Sequence, residues 1–471
     1  MLRKTKIVAT ISDKNCDPEF LKTLYEAGMN VVRLNTAHQT HAEALKVIES
    51  VRKVSNKIAI LIDTKGPEIR TCEAEEPLEV VYGDSVRIKG APLERSHGDI
   101  LCVSHGEFVK DVPVGSSILI DDGLVALAVM EKNEEYLFCS VENDGIIYGR
   151  KSVNIPAVHV KLPALSEKDK GFIRFAVDNN VDFIAHSFVR HKEDVLAVQK
   201  ILDEKKSPIK IIAKIENSEG VENIDEILDV VYGVMIARGD LAVEIAAEKI
   251  PLIQKALVRR CIEKRSPVIV ATQMLHSMIK SPRPTRAEVS DVANACLDSA
   301  DALMLSGETA NGDYPVLAVR TMARIASEVE ESRSTFIDTP YELGNKITGY
   351  LAKAAVKASI RLHTEAIVAD SISGTTIRAI AAYRGDNPIF AQVYDTRVMR
   401  ELALSFGVYA DSIDMEEETT IPLRKAILRL LEQKHLGKDT LITVLAGHFG
   451  STHGASYIEI STADKMTMRG C

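Results

Sequence analysis

Residues 210–240 read KIIAKIENSEGVENIDEILDVVYGVMIARGD. Two apolar runs, 210–216 and 233–240, each close on a cation and a carboxylate two residues apart: Lys214 with Glu216, and Arg238 with Asp240. On a strand, residues two apart point to the same side about 6.5–7 Å from each other, so each run offers a charged pair at its carboxyl end. The polar segment between them carries Ile224, Ile227, Leu228 and Val231 at helical spacing, which predicts one helix. Strand, helix, strand is the unit whose carboxyl ends bind ligands in parallel α/β proteins. A structural ion pair, with Lys214 merely neutralising Glu216, is the competing reading.

The same pattern extends in both directions. Further apolar runs of strand length occupy 6–11, 29–35, 58–64, 181–188, 267–274 and 302–308, with helical patterns between them. The eight runs together predict a closed parallel (β/α)8 TIM barrel, with a doubly wound open sheet as the alternative. Their nearly unbroken hydrophobicity suits strands covered on both faces. Asp17 and Pro18 open a first helix that Gly28 ends, a second runs from about His41 to Val54, and Ser166 with Asp169 forms a capping pair. Polar residues stand at the remaining run ends: Arg33 and Asn35, Asp63 and Thr64, Ser187 with Arg190, Thr272 and Gln273, Ser306 and Glu308. In a barrel these ends converge on one mouth.

From about Thr71 to Val160 the segments become short and are punctuated by Gly and Pro, as in LEVVYGDSVRIKG, SSILIDDG and EYLFCSV. This predicts a small β-barrel domain inserted into the larger one, placed to act as a lid. From about Tyr341 a new series starts, with a helix over 345–362, EAIVAD at 365–370, a helix from Gly374 to Arg384, and LITVLAG at 441–447. It predicts a third, open α/β domain. The expected division is 1–70 and 161–340 for the barrel, 71–160 for the insertion and 341–471 for the C-terminal domain. Ser371, Ser373, Gly374, Thr375 and Thr376 form a strand-to-helix turn suited either to phosphate or simply to helix capping.

A chain of 471 residues, 46% hydrophobic and 27% charged, is too long for one core and ordinary for a water-soluble protein. Its net charge of -9 argues against bulk nucleic acid or an anionic membrane as partner. The seven cysteines, at 16, 72, 102, 139, 261, 296 and 471, show no CxxC pair or metal-ligand spacing, which suggests reduced thiols in a cytoplasmic setting. The opening MLRKTKIVATIS holds too short an apolar run for a signal peptide. No window approaches the ~18 apolar residues of a membrane span.

The runs MNVVRLN, IDTKGPEIR, LPALSEKDK, IIAKIEN, ARGDL, ATQML, SPRPTRAEVSDVANA and LMLSGETANGDYP, with ILIDDGL in the insertion, resemble those of the pyruvate kinase family, in the family's order. The resemblance implies a homotetramer that moves the phosphoryl group of phosphoenolpyruvate to ADP, giving pyruvate and ATP. It implies Mg2+ or Mn2+ on Glu216 and Asp240, and Lys214 facing the phosphoryl group. Arg33 and Arg70 would grip phosphate, and Thr272 would lie near the methylene carbon that must be protonated, the proton donor itself staying open. Gly239 and Ser306 would line the same mouth, with Glu308 beside them. A K+ site would draw on Asn35, Asp63 and Thr64, and residues 371–376 would hold a sugar-phosphate or nucleotide effector.

Several positions depart from the family pattern. Ala37 stands where an N-x-S-H stretch has its serine, so a methyl replaces a K+ ligand, while Glu68 matches the residue that accompanies K+ dependence; the expectation is a weakened K+ site. Ala242 and Ala246 replace a glycine and a proline. The loop AGHFGSTHGAS lacks the tryptophan and arginine of members that respond to fructose 1,6-bisphosphate. Another Mg2+-dependent barrel enzyme, a lyase or aldolase, and a regulatory paralogue without turnover are the alternative readings. Arg238 is expected to act through its backbone or a structural salt bridge.

Overall fold

The computed structural model describes residues 2–156, 158, 160, 162–332, 336–339, 344–413, 422–447 and 454–468. All eight apolar runs form strands: β1 (Lys6–Thr10), β2 (Val31–Asn35) and β3 (Ala59–Asp63) early in the chain, and β12 (Phe183–His186), β13 (Lys210–Ile215), β14 (Gly233–Ala237), β15 (Val268–Ala271) and β16 (Ala302–Leu305) later. They close a parallel barrel in the order β1, β16, β15, β14, β13, β12, β3, β2. Strand β1 pairs with both β2 and β16, which rules out the open sheet.

Alternation along each strand divides the barrel into two cores. Val8, Val31, Leu61, Phe183, Ala185, Ile212, Met235, Ile269 and Met304 fill the interior. Ile7, Val32, Ile60, Ile184, Ile211, Val234 and Leu303 face the outer helices. Leu404, from the C-terminal domain, joins the interior cluster and plugs the amino-terminal end. The other end stays open for chemistry.

Between β3 and β12 the described residues form eight short strands: β4 (Leu78–Val80), β5 (Ser85–Gly90), β6 (Ile100–Val103), β7 (Ser117–Ile120), β8 (Val125–Lys132), β9 (Leu137–Val141), β10 (Gly145–Ile147) and β11 (Val153–Asn154). The order β11, β7, β8, β9, β5, β6 makes one sheet, and β4 pairs with β10. Beyond the barrel, β17 (Ala366–Asp370), β18 (Ile389–Val393), β19 (Val408–Ser412), β20 (Leu441–Ala446) and β21 (Tyr457–Thr462) form an open sheet in the order β19, β18, β17, β20, β21. Only β21 runs antiparallel to its neighbour. No helix of the described residues is long and apolar enough to cross a membrane.

The helix starts follow local chemistry. Asp17 accepts from Phe20 N at 3.0 Å ahead of the helix Pro18–Ala27, and Ser166 with Asp169 completes a capping box on Glu167–Asp178. Two expectations need correction. The single helix expected after Glu216 is two, Ser218–Glu222 and Ile224–Leu228, broken at Asn223, whose amide donates to the Arg190 carbonyl at 3.0 Å. The run 233–240 leaves strand conformation at Ala237, so Arg238 and Asp240 belong to the helix Arg238–Glu244 rather than to a strand end.

The C-terminal domain grips the closed end of the barrel through buried ion pairs. Arg384 reaches Asp301 at 2.6 Å with both side chains almost fully buried. Arg400 reaches Asp182 at 2.6 Å, and Arg52 meets the same carboxylate at 2.9 Å. Removing one partner of such a pair strands the other charge, so Arg384→Ala should lower the unfolding free energy by about 3–5 kcal/mol. Urea denaturation followed by circular dichroism measures this, and a loss below about 1 kcal/mol would show that Asp301 finds compensation elsewhere.

Candidate active site

Two residues beyond the last apolar layer, the inward file of several strands turns polar. Val8 is followed by Thr10, Val31 by Arg33, Leu61 by Asp63, Ala185 by Ser187, and Ile212 by Lys214 and then Glu216. These side chains meet in one buried network. The Lys214 ammonium lies 2.8 Å from Glu216 Oε1, 3.1 Å from Asp63 Oδ1 and 2.8 Å from Ser187 Oγ. Arg33 donates to Asp63 Oδ2 at 2.6 Å and to Thr10 Oγ1 at 3.0 Å. Ser187 in turn donates to the Thr64 carbonyl at 2.7 Å.

Electrostatics follow from this packing. Burial works against the Lys214 charge, yet Asp63 and Glu216 together hold its pKa above the ordinary lysine value. Burial also opposes ionisation of Asp63, but Arg33 and Lys214 outweigh it and keep that carboxyl below the usual range. Glu216 and Asp240 go the other way, both raised chiefly by burial. Glu216 Oε2 accepts the Phe188 N–H at 2.6 Å. The loop carrying that N–H packs on Gly220, where a Cβ would stand 2.4 Å from the Val189 carbonyl. Only glycine permits this approach, so Gly220 fixes the donor that orients Glu216.

Two buried carboxylates sharing too little positive charge make a donor set that fits a hard divalent cation, whose remaining positions water and substrate oxygens would fill. Among the described residues no group of three His, Cys, Asp or Glu is placed to hold a metal by itself.

Thr272 enters the mouth from just beyond β15 with φ of 68°, a conformation unfavourable for a β-branched residue. Its hydroxyl accepts the Gly239 N–H at 2.8 Å, and its carbonyl accepts from Arg238 at 2.8 Å. Arg238 also pairs with Asp291 at 2.7 Å, which ties its guanidinium to the helix Arg286–Leu297. The Glu308 carboxylate is buried and accepts the N–H groups of Ser306 at 2.8 Å and Leu275 at 3.1 Å, bracing the segments just past β16 and β15.

A cleft of about 530 Å3 opens between the mouth and the inserted sheet, lined among others by Arg70, Asp122, Lys151, Arg190, Asp240 and Glu244. Arg70 is held on its wall by Glu68 at 2.8 Å, which also meets Lys65 at 3.1 Å. Asp122 accepts from Ser152 Oγ at 2.8 Å. Asn35 accepts the Ala37 N–H at 3.2 Å. Residues 371–376 lie apart from all of these: 371–374 connect β17 to the short helix Thr375–Ala381, which Thr375 and Thr376 open. Of the expected loop AGHFGSTHGAS, residues 448–453 fall outside the described residues.

Sequence reasoning passed over Thr10 and named Ser187 only among the polar strand ends, without a partner or a role. The available signal was the alternation itself, since both stand two residues past an inward apolar position.

The family description "Pyruvate kinase, barrel domain" matches residues 2–319, and "Pyruvate kinase, alpha/beta domain" matches residues 350–461. The pyruvate kinase of Borreliella burgdorferi is 48% identical over 467 residues, spanning 98% of this chain and 97% of its own. That of Bacillus licheniformis is 43% identical over 485 residues, 100% of this chain and 82% of its own. The crystal structure of a pyruvate kinase from Cryptosporidium parvum superposes with a TM-score of 0.91 at 34% identity, covering 98% of this chain and 96% of that one. With this architecture, this mouth and these relatives, the chain belongs to the pyruvate kinase family.

Proposed function

We propose that the barrel mouth transfers the phosphoryl group of phosphoenolpyruvate to ADP, yielding pyruvate and ATP. The observation that carries this reading is the buried Lys214 ammonium, held by Asp63 and Glu216 beside Asp240. Phosphoryl transfer asks mainly for positioning and for neutralisation of charge that spreads over the moving group. Lys214 supplies a fixed cation at the floor of the mouth, and Arg33 adds a second from β2. Glu216 and Asp240 would hold Mg2+ or Mn2+, which when bound neutralises phosphate charge and lowers the barrier to transfer.

On this reading phosphoenolpyruvate sits over Lys214 and Arg33, and the nucleotide phosphates enter along the cleft past Arg70. Gly239 and Ser306 form the rim, where a small residue and a short hydroxyl leave room for substrate. Thr272 stands near the methylene carbon of the enolate, and its backbone conformation is held from both sides by Gly239 and Arg238. The same reading brings a homotetramer and a cytoplasmic setting.

The oxygens expected at a K+ site are already engaged. The Asp63 carboxylate accepts from Arg33 and Lys214, Asn35 Oδ1 from the Ala37 N–H, and Thr64 Oγ1 both accepts from Ser187 N at 3.1 Å and donates to Ala185 O at 3.2 Å. Ala37 contributes no side-chain oxygen. The site therefore holds K+ weakly. In the C-terminal domain, Ser373, Thr375 and Thr376 offer hydroxyls at a turn that Gly374 makes with φ of 75°, and we assign it to a phosphorylated effector.

Three measurements check this reading. In an assay of pyruvate and ATP formation with Mg2+, Lys214→Met should lower kcat by about a hundredfold or more. Rates equal to wild type would remove Lys214 from the chemistry, and a thermal melt guards against unfolding as the cause. A KCl titration should saturate only at high concentration; saturation at low KCl, or full activity without K+, would contradict the weakened site. A sugar monophosphate, a sugar bisphosphate or AMP should shift the phosphoenolpyruvate saturation curve, and indifference to all three would end the effector assignment.

A further inference from the structure

The chain passes from the barrel into the inserted sheet through residues 64–77, and near Cys72 this segment meets strand β6. Thr71 stands opposite Val103 in antiparallel register. Cys72 therefore lies directly opposite Cys102, and its N–H donates to the Cys102 carbonyl at 2.8 Å. The Cys102 N–H turns instead to Ser96 Oγ at 3.0 Å, and opposed residues of an antiparallel pair share one face with Cα atoms about 4.5–5.5 Å apart. That falls within the ~4.4–6.8 Å a disulfide spans.

Both thiols also lie beneath a single turn. Cys72 Sγ is 3.4 Å from the Ala91 carbonyl and Cys102 Sγ is 3.5 Å from the Arg95 carbonyl. The outer residues of that turn, 92–95, are exposed. Burial, and then the neighbouring Cys102, push the Cys72 thiol up. The other described cysteines have different surroundings: Cys139 stands across from Val86 and Val129, and Cys16, Cys261 and Cys296 pack in the outer layer of the barrel.

We propose that Cys72 and Cys102 are a modification site that a small-molecule disulfide converts into a reversible intramolecular disulfide. Cys72 is 9% exposed against 0% for Cys102, so it attacks first. It releases its proton to solvent, and its thiolate bonds to one sulfur of the reagent, whose S–S bond breaks and expels one thiolate. The Cys102 thiolate then attacks the Cys72 sulfur and expels the second. The two protein thiols are oxidised by two electrons, the reagent becomes two thiols, and the released thiolates take up the two protons.

The bond would act at the root of the inserted sheet. Cys72 lies two residues past Arg70, whose guanidinium donates to the Arg150 carbonyl at 2.6 Å on the returning connection. Arg70 and Ser152 bridge the two connections. Fixing Cys72 to β6 therefore stiffens the wall of the cleft that Arg70 forms.

The test treats the full chain with oxidised glutathione at mildly alkaline pH, alongside dithiothreitol as a control dithiol, and maps peptides without reduction. The expected product is a Cys72–Cys102 cross-link lighter by the mass of two hydrogens and reversed by dithiothreitol. In Cys102→Ala the reaction should stop at a glutathione adduct on Cys72. Amide exchange around 70–73 and 100–104 should slow in the oxidised wild type. The proposal is overturned if the cross-link joins other cysteines, if wild type stops at an adduct, or if both thiols survive while the control dithiol is oxidised. The wild-type map decides even where the variant does not fold.

Discussion

The rest of the mouth depends on one constraint: a lysine ammonium is removed from water at Lys214. A lone buried cation is too costly to keep its proton, so the fold brings carboxylates to it from two strands, Asp63 on β3 and Glu216 just past β13. Asp63 in turn is shared with Arg33 from β2. With Ser187 just past β12, the network thus locks four consecutive inward files of the barrel, those of β13, β12, β3 and β2, to each other at the layer where the apolar core ends. The pH signs differ around this network. The Asp63 pKa is depressed, so its contribution is present above the unfolded carboxylate value and is lost as pH falls through the folded value. The Lys214 pKa is raised, so its contribution is present below the unfolded lysine value and is lost at still higher pH. Glu216 and Asp240 are raised acids, so their ionisation subtracts stability above the unfolded carboxylate value. The ionised Glu216 and Asp240 pair therefore weakens the fold that carries it, and the Asp63 and Lys214 pairing offsets that cost.

The closed end of the barrel obeys the same electrostatic rule for a different purpose. Asp182 and Asp301 stand just before β12 and β16, and each takes an arginine of the C-terminal domain. Each carboxylate also accepts backbone N–H groups at the strand entrances, Ile60 for Asp182 and Val268 with Phe406 for Asp301. Leu404 fills the interior between these pairs. Sealing this end with another domain keeps water from the barrel core and leaves polar convergence to the other end.

The barrel was legible because its strands are buried on both faces and read as apolar runs without alternation. The C-terminal strands β19 and β21 were missed for the converse reason. They lie at the edges of their sheet, only Val408 of their eleven residues is buried, and their sequence carries little apolar signal. The charged ends of the barrel runs were legible as types and positions. Their partners were not, since a residue such as Ser187 looks the same in sequence whether it ends a strand or carries a lysine.

Asp240 shows how the element around a charged residue can be misread from local sequence. The helix Arg238–Glu244 begins directly after β14, and its N-cap, Ala237, has no side chain able to cap. A local reading therefore sees an uninterrupted strand through Asp240. The missing acceptor is supplied from another strand: Thr272 Oγ1 takes the Gly239 N–H at 2.8 Å, the bond that an N-cap serine would otherwise make. Thr272 reaches that position only by adopting its unfavourable φ. One nonlocal hydrogen bond thus turns the backbone at Ala237, starts the helix and aims Asp240 toward Glu216. The same bond sets Thr272 in the mouth, so the residue read from sequence as chemical is also the one that shapes the carboxylate site beside it.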